Sequence, residues 1–194
     1  KYRLVLGRGE TQYPLGSSEF NVVSDLKNLY NTKIVAHRGY HYGNAAENSV
    51  ASLAEAQKLG VYGSEFDVYI TTDGVPVIYH NSTFKGNEVP EDAKYKGWRP
   101  DSRTYEEIKD YKLANGEPLP TLDDYLNQAK LYPNVKLIIE IKNHNTTDKT
   151  MRAAQTCVDA VKAKGLQNQV EYIAFSYDVC KKLAGLAPEA TVQY

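Results

Sequence analysis

From about Lys33 onward, short apolar runs alternate with longer stretches in which apolar positions recur every three or four residues. Ile34-Val35-Ala36 is a short β run that ends in His37-Arg38-Gly39. After a loop from Tyr40 to Glu47, Asn48 is placed to cap a helix through Ser49–Leu59, with Gly60 as its stop. Val61–Ile70 and Val75–His80 read as second and third strands, joined by the tight turn Thr72-Asp73-Gly74. Residues 81–120 are irregular and rich in Gly and Pro, but Thr104 with Glu107 three residues on predicts one short capped helix. Thr121 with Asp124 predicts another, whose apolar face is Leu122, Tyr125, Leu126 and Ala129. Val135–Lys142 and Val170–Phe175 read as buried strands, and Asp148–Lys164 and Ser176–Ala184 as helices stopped by Gly165 and Gly185. Thr191–Tyr194 has the pattern of a further strand beginning.

Strands alternating with helices of 10–15 residues imply βαβ units and a parallel sheet. Six strand signals follow Lys33, with no fixed repeat. Residues 1–33 do not fit the alternation. Lys1–Gly7 has a strand pattern, and Ser18–Leu29 a helical one with Phe20, Val23, Leu26 and Leu29. This segment is expected to be an N-terminal extension or the end of an upstream domain, with the main domain at 34–194.

Composition narrows the classes. The 194 residues hold 23 Lys+Arg against 24 Asp+Glu, a net charge of -1, which leaves no footprint for nucleic acid or an anionic membrane. No stretch approaches the ~20 apolar residues of a bilayer span. Two cysteines, Cys157 and Cys180, are too few for a disulfide scaffold and read as small buried hydrophobes.

The chemistry is expected at strand ends. Side chains at i and i+2 share a strand face, so Glu65 and Asp67 face one way and Glu140 and Lys142 do the same on their strand. Phe66, Val68, Ile139 and Ile141 take the opposite face. Three converging carboxylates repel one another unless a hard cation lies between them, and Mg²⁺ or Ca²⁺ with oxygen ligands satisfies that arrangement. His37 and His80 end the first and third strands, and the carboxyl ends of a parallel barrel open on one face. Two imidazoles for acid–base work, a cation, Arg38 and Lys142 together suit hydrolysis of a phosphodiester. Taken singly, each residue has a plainer structural reading; only the set points to that chemistry.

These residues resemble the glycerophosphodiester phosphodiesterase family. The resemblance lies in the ordered set His37-Arg38-Gly39, Glu47-Asn48-Ser49, Gly63-Ser64-Glu65-Phe66-Asp67-Val68, Thr72-Asp73-Gly74-Val75-Pro76-Val77, His80, Leu119-Pro120-Thr121-Leu122 and Glu140-Ile141-Lys142. It implies a TIM-type (β/α)8 barrel and one divalent cation (Mg²⁺ or Ca²⁺) held by Glu65, Asp67 and Glu140. It implies His37 and His80 as the acid–base pair, Arg38 and Lys142 on the phosphate, and Glu47 in support. The implied reaction cleaves a glycerophosphodiester to glycerol 3-phosphate and an alcohol. Alternatives are a phospholipase of the same fold working by intramolecular transphosphorylation, and a noncatalytic module binding phosphodiesters or polyol phosphates.

Three departures stand out. The family has His-Asp where this chain has His80-Asn81, which exchanges a charged for a neutral acceptor beside the imidazole. Residues 81–119 form a long insertion, expected over the barrel mouth, where loops carry specificity. A barrel usually needs about 250 residues, so about six of eight strands are expected here and two more beyond Tyr194. The chain starts at Lys1 without an initiator Met, which reads as a mature or excised piece. With the high Tyr and Asn content, that suggests a periplasmic or secreted protein, the alternative being cytoplasmic.

Overall fold

Alternate apolar positions on a few short strands build the sheet that carries the candidate site. The computed structural model describes residues 3–8, 11–17, 32–86 and 90–194, and the chain divides into two units, Lys1–Thr32 and Lys33–Tyr194. In the first unit, β1 (Arg3–Arg8) and β2 (Thr11–Ser17) form an antiparallel hairpin whose register runs from Arg3 opposite Ser17 to Arg8 opposite Thr11. The strand expected at Lys1–Gly7 is thus present, with a partner that the pattern did not signal. The helix expected at Ser18–Leu29 lies outside the described residues.

The second unit runs β3 (Val35–Ala36), α1 (Val50–Leu59), β4 (Gly63–Ile70), β5 (Pro76–Ile78), α2 (Tyr105–Ile108) and α3 (Leu122–Ala129). It continues with β6 (Lys136–Ile141), α4 (Thr147–Ala163), β7 (Val170–Ala174), α5 (Tyr177–Leu186) and β8 (Val192–Gln193). Strands β3, β4, β6, β7 and β8 lie side by side in chain order, each parallel to the next. Parallel strands in sequence, joined through helices, are the layout of a TIM-type barrel.

The sixth strand corrects the reading of a wholly parallel sheet. β5 pairs with the second half of β4 in antiparallel fashion, Val68 opposite Ile78 and Ile70 opposite Pro76. The cause is the turn between them, where Gly74 takes φ 86° and Gly74 N–H donates to Thr71 O. So short a link permits only an antiparallel return, because a parallel neighbour needs a crossover of a dozen residues or more. His80 therefore does not sit at the carboxyl end of a parallel strand. The chain turns back along β4, and Tyr79 N–H donates to Asp67 O at 3.1 Å.

One face of the sheet is apolar. Phe66, Val68, Leu137, Ile139 and Tyr172 are buried against Leu53 of α1, Leu126 of α3 and Val158 of α4. Each such side chain contributes roughly 1.5–3 kcal/mol on removal from water. Helix starts follow the caps: Thr104 and Thr121 close capping boxes with Glu107 and Asp124 as expected. At α1, however, the cap is Ser49 rather than Asn48. At α5, Gly185 lies inside the helix, which continues to Leu186.

The irregular stretch after His80 has a core of its own. Tyr79, Phe84, Tyr95 and Tyr111 are buried together, with ring centroids 4.3 Å apart for Phe84–Tyr111 and 5.5 Å for Tyr95–Tyr111. Cys157 is buried and unpaired, and burial pushes its thiol up to about 12, so it is an inert hydrophobe. Cys180 is unpaired and partly exposed. No helix among the described residues is long and apolar enough to cross a membrane.

Candidate active site

Strand alternation does the first part of the work. With Phe66 and Val68 committed to the helix-facing core, Glu65 and Asp67 emerge together on the other face of β4, 5% and 1% exposed. Register places Glu140 of β6 directly beside Asp67. Oxygen atoms of Glu65, Asp67 and Glu140 lie within 4.8 Å of one another. The expected convergence of three carboxylates is therefore present.

Lys142, two residues beyond Glu140, reaches back between them. Its Nζ lies 2.7 Å from Glu140 Oε1 and 3.0 Å from Asp67 Oδ1. Burial pushes this ammonium down, but contacts with Glu140 and Asp67 outweigh it and hold Lys142 above its ordinary value. Glu65 goes the other way. Burial, and then the charges of Asp67 and Glu140, raise its carboxyl to about 7 against the pull of Arg38.

The His-Arg-Gly turn closes over this group. β3 stops at Ala36, and Arg38 takes φ 57°, a left-handed conformation that costs a non-glycine residue ~1–2 kcal/mol. The turn is pinned at three points. Arg38 N–H donates to Glu65 Oε2 at 2.9 Å, Ser52 Oγ–H donates to Arg38 O at 3.1 Å, and Asn48 N–H donates to the same carbonyl at 3.1 Å. Gly39 has φ 78° and packs so tightly on α1 that an added Cβ would meet Ser52 Oγ at 2.3 Å. Both reasons require glycine there.

The Arg38 guanidinium then bridges the site. One terminal nitrogen donates to Glu47 Oε2 at 2.9 Å and the other to His80 Nε2 at 2.9 Å, while Nε lies 3.8 Å from Asp67 Oδ2. The far side of the His80 ring meets Asn81, Nδ1–H donating to Oδ1 at 3.2 Å. His37 is open to solvent, its side chain 70% exposed, with Nε2 3.8 Å from Glu65 Oε2. The nine residues singled out in the sequence (Glu65, Asp67, Glu140, Lys142, His37, Arg38, Glu47, His80 and Asn81) thus form one connected set.

One residue was misread. Asn48 does not cap α1. It sits at φ 57° and 1% exposure, with Nδ2–H donating to Asp67 Oδ2 at 2.9 Å and Oδ1 accepting from Asp67 N–H at 3.2 Å. The signal was its place between Glu47 and the true cap Ser49. His144, which the sequence did not single out, is structural: Nδ1–H donates to Lys142 O and Nε2 accepts from Ile70 N–H, both at 2.8 Å. Burial holds it below the ordinary imidazole value, in keeping with a neutral ring.

The carboxylate group fits a hard divalent cation. All donors are oxygens, and Glu65 Oε1 is buried with no hydrogen-bond partner among the described residues. An orphaned buried acceptor costs about 1–3 kcal/mol, more when charged, and a cation would satisfy it. Mg²⁺ and Ca²⁺ take this ligand chemistry.

Comparison with known proteins bears on the same residues. A model of the glycerophosphoryl diester phosphodiesterase family matches residues 37–194, from the His-Arg-Gly turn onward. The chain is 29% identical over 164 residues to the Bacillus subtilis protein YqiK, covering 81% of this chain and 63% of that protein. To glycerophosphodiester phosphodiesterase 1 of the mouse it is 30% identical over 128 residues, 61% of this chain and 36% of the mouse protein. A crystal structure of a glycerophosphodiester phosphodiesterase from Parabacteroides distasonis superposes with a TM-score of 0.75 at 42% identity, covering 84% of this chain and 64% of that one. The chain therefore spans less than two thirds of these relatives. Because the match takes in the turn, all three carboxylates and both strands that carry them, the chain belongs to the glycerophosphoryl diester phosphodiesterase family.

Proposed function

We propose that this chain carries the catalytic centre of a cation-dependent phosphodiesterase that splits glycerophosphodiesters into glycerol 3-phosphate and an alcohol. The observation that carries the reading is the approach of Glu65, Asp67 and Glu140 within 4.8 Å, ringed by two histidines, an arginine and a lysine. Glu65, Asp67 and Glu140 would hold Mg²⁺ or Ca²⁺, which when bound supplies positive charge against the phosphoryl oxygens.

The chain's own residues do the rest. Arg38 offers its two terminal nitrogens to phosphoryl oxygens, and Lys142 adds a point charge from the β6 side. His80 keeps its Nδ1 proton on Asn81, so Nε2 is the nitrogen that exchanges a proton with the reacting oxygen. His37, open to solvent, is the second acid–base group. Glu47 orients Arg38, and Asn48 orients Asp67. Asn81 still accepts from the imidazole, which supports turnover over a purely binding role.

The test is release of glycerol 3-phosphate from glycerophosphodiesters with Mg²⁺ or Ca²⁺, repeated after chelation and in Glu65→Ala and Glu140→Ala. Loss of at least a thousandfold in all three cases is expected. Cation-independent turnover would overturn the reading, and a cyclic phosphate as final product in ³¹P spectra would favour transphosphorylation.

A further inference from the structure

One cavity, ≈ 580 Å³, lies between Tyr105, Pro118 and Leu131, and none of the three carboxylates lines it. A smaller one, ≈ 130 Å³, opens directly beside His80. Its walls come from the loop before α1 (Ala46, Glu47), the residues just after β5 (Tyr79, His80) and the insertion (Lys85, Leu113). It therefore joins the acid–base and arginine-orienting residues to the segment that varies most freely in such folds.

Its charge is one-sided. Glu47 is already neutralised by Arg38 at 2.9 Å. Lys85 is exposed, and no described residue forms an ion pair with it. The described residues that line the cavity form no aromatic cage for a quaternary ammonium, which needs open ring faces. The ring of Tyr79, which is 5% exposed, is packed against Phe84 at 4.8 Å and Tyr111 at 5.6 Å. What remains among the described residues is a small apolar floor with the Lys85 cation at its rim, paired by no described carboxylate.

We propose that this cavity receives the alcohol half of the diester and that Lys85 selects alcohols carrying negative charge over cationic ones. The inference rests on the diesterase reading above and narrows its substrate class. A partly exposed charge pair is worth up to about 1 kcal/mol, so the selectivity expected from Lys85 is about fivefold on each side of a neutral alcohol.

The experiment measures kcat/KM with Mg²⁺ or Ca²⁺ for three glycerophosphodiesters whose alcohols are choline, glycerol and glycerol phosphate. The parent protein should prefer glycerol phosphate, then glycerol, then choline. Lys85→Glu should reverse the order of the two charged substrates, and Lys85→Gln should bring them close together. Turnover of all three with ratios unchanged in both variants overturns the role of Lys85 and leaves the diesterase reading standing. No turnover of any diester by the parent protein overturns both.

Discussion

Arg38 caps the nitrogen of His80 that the proposed chemistry needs. Its guanidinium donates to His80 Nε2 at 2.9 Å while Nδ1–H is committed to Asn81 at 3.2 Å. An arginine cannot accept a hydrogen bond and an amide oxygen cannot donate one, so in this geometry Nε2 is the accepting nitrogen and Nδ1 the donating one. A phosphate that draws the guanidinium to its own oxygens would free Nε2. Asn81→Asp replaces a neutral acceptor with a carboxylate and makes the hydrogen bond from Nδ1–H charge-assisted, roughly twice as strong. kcat/KM is expected to change by about tenfold, with the protein still folded by circular dichroism. Unchanged kinetics would show that the Asn81 contact does not tune His80.

The second prediction concerns Glu65, raised from 4.5 to about 7 by burial and then by Asp67 and Glu140. Between those two pH values the folded protein keeps a proton that the unfolded chain has released. Without a cation, stability should therefore fall as pH rises from 4.5 to 7, by on the order of 3 kcal/mol in all. A bound cation displaces that proton, so its affinity should rise with pH up to about 7 and then level off. Urea denaturation with and without Mg²⁺ or Ca²⁺ between pH 5 and 8 measures both trends. Parallel curves with and without the ion would count against an ion between these carboxylates.

Much of this arrangement is written locally. The alternation Glu65-Phe66-Asp67-Val68 and the pair Glu140 and Lys142 state which face is apolar and which is charged, whatever the rest of the chain does. Thr104 and Thr121 mark helix starts because capping is a contact between near neighbours. What escaped the pattern depends on distant partners. The direction of β5 was encoded in the length of its turn, not in its residues. Asn48 looks like a cap until Asp67, 19 positions away, is placed against it. The buried tyrosines between 79 and 111 follow no period of two or 3.6, since they pack on one another rather than along an element.

Asn48 leads to the third prediction. Its carboxamide holds both the side chain and the backbone N–H of Asp67, and both residues are nearly inaccessible to solvent. Asn48→Ala strips a buried carboxylate of a donor and leaves the Asp67 N–H unpaired. A stability loss of about 2–3 kcal/mol is expected, together with a 10–100-fold weaker cation affinity, the usual effect of removing a group that orients a ligand. Calorimetric titration with Mg²⁺ or Ca²⁺ checks the second part. Asn48→Asp, which restores size but sets two carboxylates against each other, should weaken the cation-free fold further.

The last prediction lies where the insertion meets the sheet. Asp101, fully buried, takes two hydrogen bonds from Arg99, at 2.8 and 3.0 Å, and one from Asn145 N–H at 2.7 Å. Lys149 Nζ donates to its carbonyl at 2.8 Å. Asn145 and Lys149 flank the start of α4, only a few residues past Glu140 and Lys142, so Asp101 ties the insertion to the strand end that carries part of the site. Burial alone would push this carboxyl up, but Arg99 and the Asn145 N–H outweigh it and hold Asp101 below its ordinary 3.8. The sign follows from linkage: its contribution is complete above about pH 4 and is lost as pH falls through the lowered value. Asp101→Asn leaves Arg99 without its counter-charge and should cost about 3 kcal/mol at neutral pH, and a smaller difference from the parent protein is expected below pH 4. Because the anchor holds the Asn145 backbone in the segment that follows Lys142, kcat should drop with it while Lys149→Ala, which removes only the outer contact, changes stability by less than about 1 kcal/mol. Equal stability of Asp101→Asn and the parent at pH 7 would refute the anchoring role.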